Sequence, residues 1–381
     1  MSTVGHSRVP SIHWLAESQL GHDSFQSTLL SLLRGVAAIE VAAAHLRAQM
    51  FPGIREVEDP AVWYTGLAFF TGFAHQAVLV FFLISGWLVG GSLLNKIRQP
   101  KAFRSYTIDR VTRLWTVLIP TFLLVLLFAI ARNVDPTTSN EYAITTLVGN
   151  LVGLQTIVVP NYGGNYSLWS LANETWYYVL FPLSVLFVVS RRYAVRAACA
   201  VAILLIAGFV PRDILLFFSV WLLGVLFSRI RIDAGPIFRM SWLLLVVSVS
   251  VYYRLNGITD DLNSASYVQD IVCSLVFAVF LSSWSIQTDP SSAWLKQLGR
   301  ASVLIAGFSF TLYVIHAPLI QMIRYASENW LGRAQLAPCA WSALAIYMTM
   351  LAITIVASYV FFLMFESHTY AIRRMARERF L

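Results

Sequence analysis

Apolar stretches long enough to span a bilayer recur along this chain, and no other feature limits its fold so tightly. The hydrocarbon core of a membrane is about 30 Å thick, which an α-helix crosses in about 20 residues. No water reaches backbone N–H and C=O groups there, and a helix satisfies them all within one segment. Apolar segments lie at 28–48, 74–94, 114–131, 145–159, 168–189, 194–210, 213–228, 241–253, 267–286, 302–323 and 339–365. Composition agrees: 58% of the 381 residues are hydrophobic and 12% are charged, against about 45–50% and about 25% in soluble domains. The expectation is an all-α integral membrane protein, with a polar tail at 1–27, one transmembrane domain at 28–366 and a basic tail at 367–381.

Charge placement sets the expected topology. If all eleven segments cross, the basic loops fall on alternating sides. If 145–159 is only a short or re-entrant helix, 20 of the 27 Lys and Arg residues fall on one side, as positive-inside bias requires. About ten crossings then fit, with both termini in the cytoplasm. Arg47, Arg55, Arg132, Arg212, Arg254, Arg324 and Arg333 remain outside, with most of the acidic loop residues, including Asp260. The net charge of +8 is thereby explained by topology, without nucleic acid as a partner. The N-terminal tail, which carries His6, Arg8, His22 and Asp23, has no apolar core and reads as retained. Cys199, Cys273 and Cys339 stand far apart in predicted spans, so neither a disulfide framework nor a metal site is expected.

Charges inside spans need a reason, because each costs about 3 kcal/mol at mid-depth. The first span, LRGVAAIEVAAAHL from Leu33 to Leu46, holds three polar groups that need one: Arg34, Glu40 and His45. Eleven steps at about 100° place Arg34 and His45 on one helix face, roughly 16 Å apart along the axis. Glu40 faces elsewhere, as a counter-ion, a proton-path residue or a structural group. Arg110 and Arg113, three apart at the start of the third span, share a face, and guanidinium forks suit phosphate groups. Ser85 and Gly86 in FFLISGWLVG admit either close helix packing or the approach of a ligand.

These residues sit in an ordered set of motifs: LRGVAAIEVAAAH from Leu33, FFLISGWLVG at 81–90, DRVTRLWTVLIP at 109–120, YSLWSLANETWYYVLFP at 166–182 and FSFTLYVIHAPL at 308–319. Together they resemble the acyltransferase-3 family, whose multi-spanning membrane enzymes move acyl groups, often acetyl, from cytoplasmic acyl-CoA to sugars. The chain differs from the family pattern at Ser31, where an acidic residue is frequent, and at Glu40, where the position is commonly apolar. The resemblance implies an O-acyltransferase of the bacterial inner membrane, with acetyl-CoA as co-substrate, no metal, and a carbohydrate acceptor such as an exopolysaccharide, lipopolysaccharide or lipid-linked oligosaccharide. It implies His45, Arg34 and Glu174 as catalytic residues, with His45 as the base. A base of near-neutral pKa is what acyl transfer to a hydroxyl needs. Arg34, Arg110 and Arg113 would hold CoA. Trp169, Asn173, Tyr177, Tyr313, His316 and Ser85 would line the acceptor side, behind a turn-rich loop, NYGGN at 161–165, with His316 either a buried hydrogen-bonding partner or a second pocket residue. Glu366, followed by Arg373 and Arg374, is expected to form a cytoplasmic ion pair with them. The competing class is a transporter or flippase for a lipid-linked sugar, which would also need intramembrane charges and aromatic side chains. It would not need phosphate-binding arginines at an inner helix start.

Overall fold

A computed structural model of the chain describes residues 9–18, 24–259, 261–286, 292–332 and 335–381. His6, Arg8, His22, Asp23, Asp260 and Arg333 lie outside the described residues. In chain order the helices are α1 (Phe25–Met50), α2 (Val62–Phe70), α3 (Ala74–Ser85), α4 (Gly91–Lys96), α5 (Ala102–Ala131), α6 (Ile144–Leu151), α7 (Trp169–Val189), α8 (Tyr193–Phe209), α9 (Arg212–Phe227), α10 (Pro236–Asn256), α11 (Tyr267–Ser283), α12 (Ala293–Leu331), α13 (Trp341–Met364) and α14 (Thr369–Phe380). Part of the expected N-terminal tail is ordered: β1 (Ser11–Trp14) pairs antiparallel with β2 (Ile230–Asp233).

Among the described residues, seven segments are long and apolar enough to cross a membrane: Phe25–Glu56, Val62–Lys96, Ala102–Ala131, Tyr166–Val189, Pro236–Asn256, Ala293–Asn329 and Trp341–Phe380. The protein is therefore an all-α membrane protein. Helices α8 and α11, 17 residues each, rise about 25 Å and reach only the lower end of the spanning range. The apolar segment expected at 145–159 is a helix for only eight residues. Helix α6 is closed by a bond from Leu154 N–H to the Gly149 carbonyl at 2.8 Å, the 6→1 bond that ends many helices. Cys339, expected within a span, is exposed in the turn before α13.

The chain forms two compact units built from interleaved segments. The first comprises Met1–Ala37, His75–Ala102 and Leu180–Gly307, and the second Ala38–Ala74, Phe103–Val179 and Phe308–Leu381. In the first, Leu30, Leu83, Trp87, Phe227 and Leu281 form part of a buried apolar cluster. Here the path through Gly86–Gly90 is a single π-helical turn. A Cβ on Gly86 would lie 1.9 Å from the Trp221 carbonyl oxygen, and one on Gly224 would lie 2.0 Å from that of Leu83. Helix α9 thus meets this segment backbone to backbone, which only glycine permits. A buried polar pair, His75 Nε2 to Asp270 Oδ1 at 2.6 Å, joins α3 to α11 in the same unit.

The second unit holds two further apolar clusters. One gathers Leu118, Phe122, Tyr162, Leu168 and Ile315; the other gathers Leu46, Met50, Phe51, Tyr64 and Tyr347. Alanines 42, 43 and 44 of α1 are all buried, and Ala43 is approached closely enough for its carbonyl to accept the Tyr347 hydroxyl at 2.9 Å. Pro318 lies inside α12. Proline has no N–H, so the carbonyl four residues earlier, that of Val314, loses its helical donor. Asn165 Nδ2 supplies the missing bond at 2.9 Å, and Ser167 Oγ donates to Asn165 Oδ1 at 2.7 Å. The NYGGN loop, which turns through Gly163 and Gly164 at φ +58° and +67°, is anchored to α12 by this bond. Asn165 is fully buried, and Asn165→Leu would leave the Val314 carbonyl unpaired. The expected loss is about 1–3 kcal/mol, read as earlier thermal loss of monodisperse protein in detergent. Wild-type stability in that variant would show that the loop is held by other contacts.

Candidate functional site

His45 lies in the sixth helical turn of α1 and meets His316 of α12, with His45 Nδ1 and His316 Nε2 separated by 2.8 Å. The sequence separation is 271 residues. His316 is fully buried, and His45 is half-buried. The Tyr166 ring stands edge-on to His45, with centroids 5.1 Å apart. One turn earlier on α12, the Tyr313 hydroxyl lies 2.5 Å from Ser170 Oγ of α7. Buried polar groups without partners are costly among apolar helices, and here His45 and His316 satisfy each other, as do Tyr313 and Ser170.

From Ser170 a polar strip continues along α7. Ser170, Glu174 and Tyr178 recur every four residues and so share one helix face. The Tyr178 hydroxyl donates to Glu174 Oε1 at 2.5 Å, and the Arg110 guanidinium carbon lies 5.6 Å from the centre of the Tyr178 ring. His45, His316, Tyr313, Ser170, Glu174, Tyr178 and Arg110 thus follow one another within the second unit. The other expected positions on α7 occupy a neighbouring face: Asn173 and Tyr177 are buried, Tyr177 completely, and Trp169 is half-buried.

Glu366 does not pair with Arg373 or Arg374. Its Oε1 lies 2.7 Å from Arg113 Nη1, and its Oε2 accepts from Thr311 N–H at 3.1 Å and Thr311 Oγ1 at 2.5 Å. A tight turn at Glu366–His368 sends this carboxylate inward, where its side chain is 1% exposed. Helix α14 then lays its own cations elsewhere. Arg377 Nη2 reaches both Asp109 oxygens at 2.7 and 2.8 Å, Arg373 lies 3.5 Å from Asp109, and Arg374 lies 3.8 Å from Glu378. Arg113 also places its guanidinium carbon 5.0 Å from the Phe310 ring centre.

Three expected residues have other partners. In the first unit, Arg34 Nη2 donates to the Ala306 carbonyl at 2.6 Å; Arg34 also lines a recess with Ser27, Leu30, Ser31 and Leu88. Ser85 Oγ accepts from Trp221 Nε1 at 3.1 Å, beside the glycine crossing, so the close-packing alternative is the one realised there. Glu40 Oε1 accepts from Phe73 N–H at 2.9 Å, where the chain turns into α3. A carboxylate suits that place, because the first N–H groups of a helix lack partners and carry partial positive charge. Sequence reasoning did not single out Tyr166, Ser170, Asn165 or Thr311. Two signals were available: Ser170 is one turn from Glu174 on the same face, and Pro318 requires a donor for Val314.

The model of the acyltransferase domain family matches residues 29–363 of the 381. The chain is also 27% identical to the acyltransferase MdmB of Streptomyces mycarofaciens, over 86% of this chain and 87% of that protein. No solved structure matches the chain. With the family match extending from the start of α1 to the end of α13, the chain belongs to the acyltransferase-3 family and is an acyltransferase.

Proposed function

We propose that the protein transfers an acyl group, acetyl in the simplest case, from acyl-CoA to a hydroxyl of a carbohydrate acceptor at the bacterial inner membrane. About ten crossings and cytoplasmic termini accompany this reading, since the basic loops then share the side on which acyl-CoA is found. The observation that supports it most is the His45–His316 pair at one end of a polar strip that leads to Arg110. An acyl transferase needs a base at the hydroxyl and cations for the diphosphate of CoA. In the proposed step, His45 removes the hydroxyl proton as oxygen attacks the thioester carbonyl. The C–S bond then breaks, the imidazolium returns the proton to the sulfur, and an ester and free CoA result. Arg110 and Arg113 hold phosphates, and Glu174 orients the acceptor with Tyr313 and Trp169.

The test is transfer of labelled acetyl from acetyl-CoA to envelope carbohydrate in membranes containing the protein. Label above that of membranes lacking it, released by mild alkali as an O-ester would be, is the expected result. If the purified protein binds no acetyl-CoA and its membranes form no labelled ester, the donor assignment is wrong.

A further inference from the structure

We infer that His316 is a positioning residue that fixes the tautomer of His45, so that Nε2 of His45 is the atom that takes the acceptor's proton. This rests on the proposed role of His45 and names the device that makes it competent. His316 Nδ1 lies 3.1 Å from the Leu312 carbonyl oxygen. A carbonyl only accepts, so Nδ1 of His316 carries the proton. In a neutral imidazole the other nitrogen then holds a lone pair, and His316 Nε2 points that lone pair at His45 Nδ1, 2.8 Å away. Two lone pairs do not face each other at that distance, so His45 Nδ1 must donate. Neutral His45 is left with its lone pair on Nε2.

The ring geometry agrees. The two imidazole planes are inclined by only 17° and their centroids are 5.1 Å apart, which exceeds the nitrogen separation by about two ring radii. The rings therefore meet nitrogen to nitrogen in their planes, with the N–H of one aimed at the lone pair of the other. The opposite tautomer would require a doubly protonated His316. That would place a full cation at a fully buried position beside Leu312, Val314, Ile315, Ala317 and Ile320, where its ring nitrogens meet a neutral imidazole and a backbone carbonyl rather than a carboxylate. When the proton arrives on Nε2 of His45, its Nδ1–H bond to His316 becomes charge-assisted and shortens. The partner thus stabilises the imidazolium without itself being charged.

The experiment uses the full-length protein in lipid nanodiscs with its 7 histidines labelled with nitrogen-15, and the His45 signals are assigned by their loss in His45→Ala. The expected spectrum shows a proton on Nδ1 of His45 and none on Nε2; a proton on Nε2 overturns the inference. In parallel, His316→Met keeps the volume but offers no strong acceptor, and kcat should fall by about 10²–10⁴-fold, the contribution of a positioned general base, at unchanged KM for acetyl-CoA. His316→Gln, which can place an oxygen near the position of Nε2, should retain most of kcat. Equal loss in both variants, or no loss in His316→Met, overturns the positioning role. If His45→Ala itself transfers acetyl normally, His45 is not the base and the positioning role falls with it, while the spectrum still decides the tautomer.

Discussion

His45→Ala should lower turnover about 10²–10⁴-fold with little change in KM for acetyl-CoA. Such a split follows from the step assigned to His45. The imidazole takes a proton that moves only as the transition state forms, so its removal costs kcat and leaves donor binding alone. The comparison is sound because the change is mild for the helix. Alanine already fills positions 42, 43 and 44 of α1, and it is the best helix former. The structural cost falls on one bond, since His316 Nε2 loses its donor, about 1–3 kcal/mol for a buried acceptor. His45→Gln keeps a polar group there and should be as inactive as alanine while restoring stability. If His45→Ala membranes at matched protein level label carbohydrate as the wild type does, His45 is not the base.

Much of this was legible before any coordinates, for a physical reason. The bilayer imposes one length and one polarity on every crossing, so helices announce themselves by apolar runs, and an ionisable residue within a run stands out because it is costly there. Arg34, Glu40 and His45 were visible for that reason. Their partners were not. The contact of His45 with His316 joins residues 271 apart, and that of Asp270 with His75 joins residues 195 apart; helical periodicity carries no information across such distances. Glu366 shows how nearness in sequence misleads. Arg373 and Arg374 follow it within eight residues, yet a turn after α13 points the carboxylate away from them, and Arg113 becomes its partner. The breakdown of the 145–159 run was half-legible. Its length was too short for a crossing, and the bond that closes α6 at Gly149 turns through Gly153 at φ +80°, a helix-ending glycine that the surrounding apolar run obscured.

Glu366→Ala and Arg113→Leu should each destabilise the protein strongly, and combining Arg113→Leu with Glu366→Met should return most of the loss. Removing one member of a buried ion pair costs about 3–5 kcal/mol, because the other is left without compensation, whereas replacing both by apolar groups is often neutral. The two single changes should differ. The Glu366 side chain is 1% exposed and that of Arg113 is 29% exposed, so a stranded Arg113 can still find water and a stranded carboxylate cannot. Arg113→Leu is therefore expected at the upper end and Glu366→Ala at the lower, read as loss of folded protein on heating in detergent. Thr311 softens the first, since its N–H and hydroxyl still donate to the carboxylate. Additive losses in the double variant would mean that the two groups do not act as a pair. The same variant decides what Arg113 does for the donor. It retains Arg110, which lies against the rings of Tyr106 and Tyr178, and it removes the Arg113 cation together with the carboxylate that neutralises it. Acetyl-CoA binding equal to that of wild type would make Arg113 a brace for the last crossing helix and leave the phosphates to Arg110. A tenfold or greater loss, about 1.4 kcal/mol, would show that one guanidinium serves both carboxylate and phosphate.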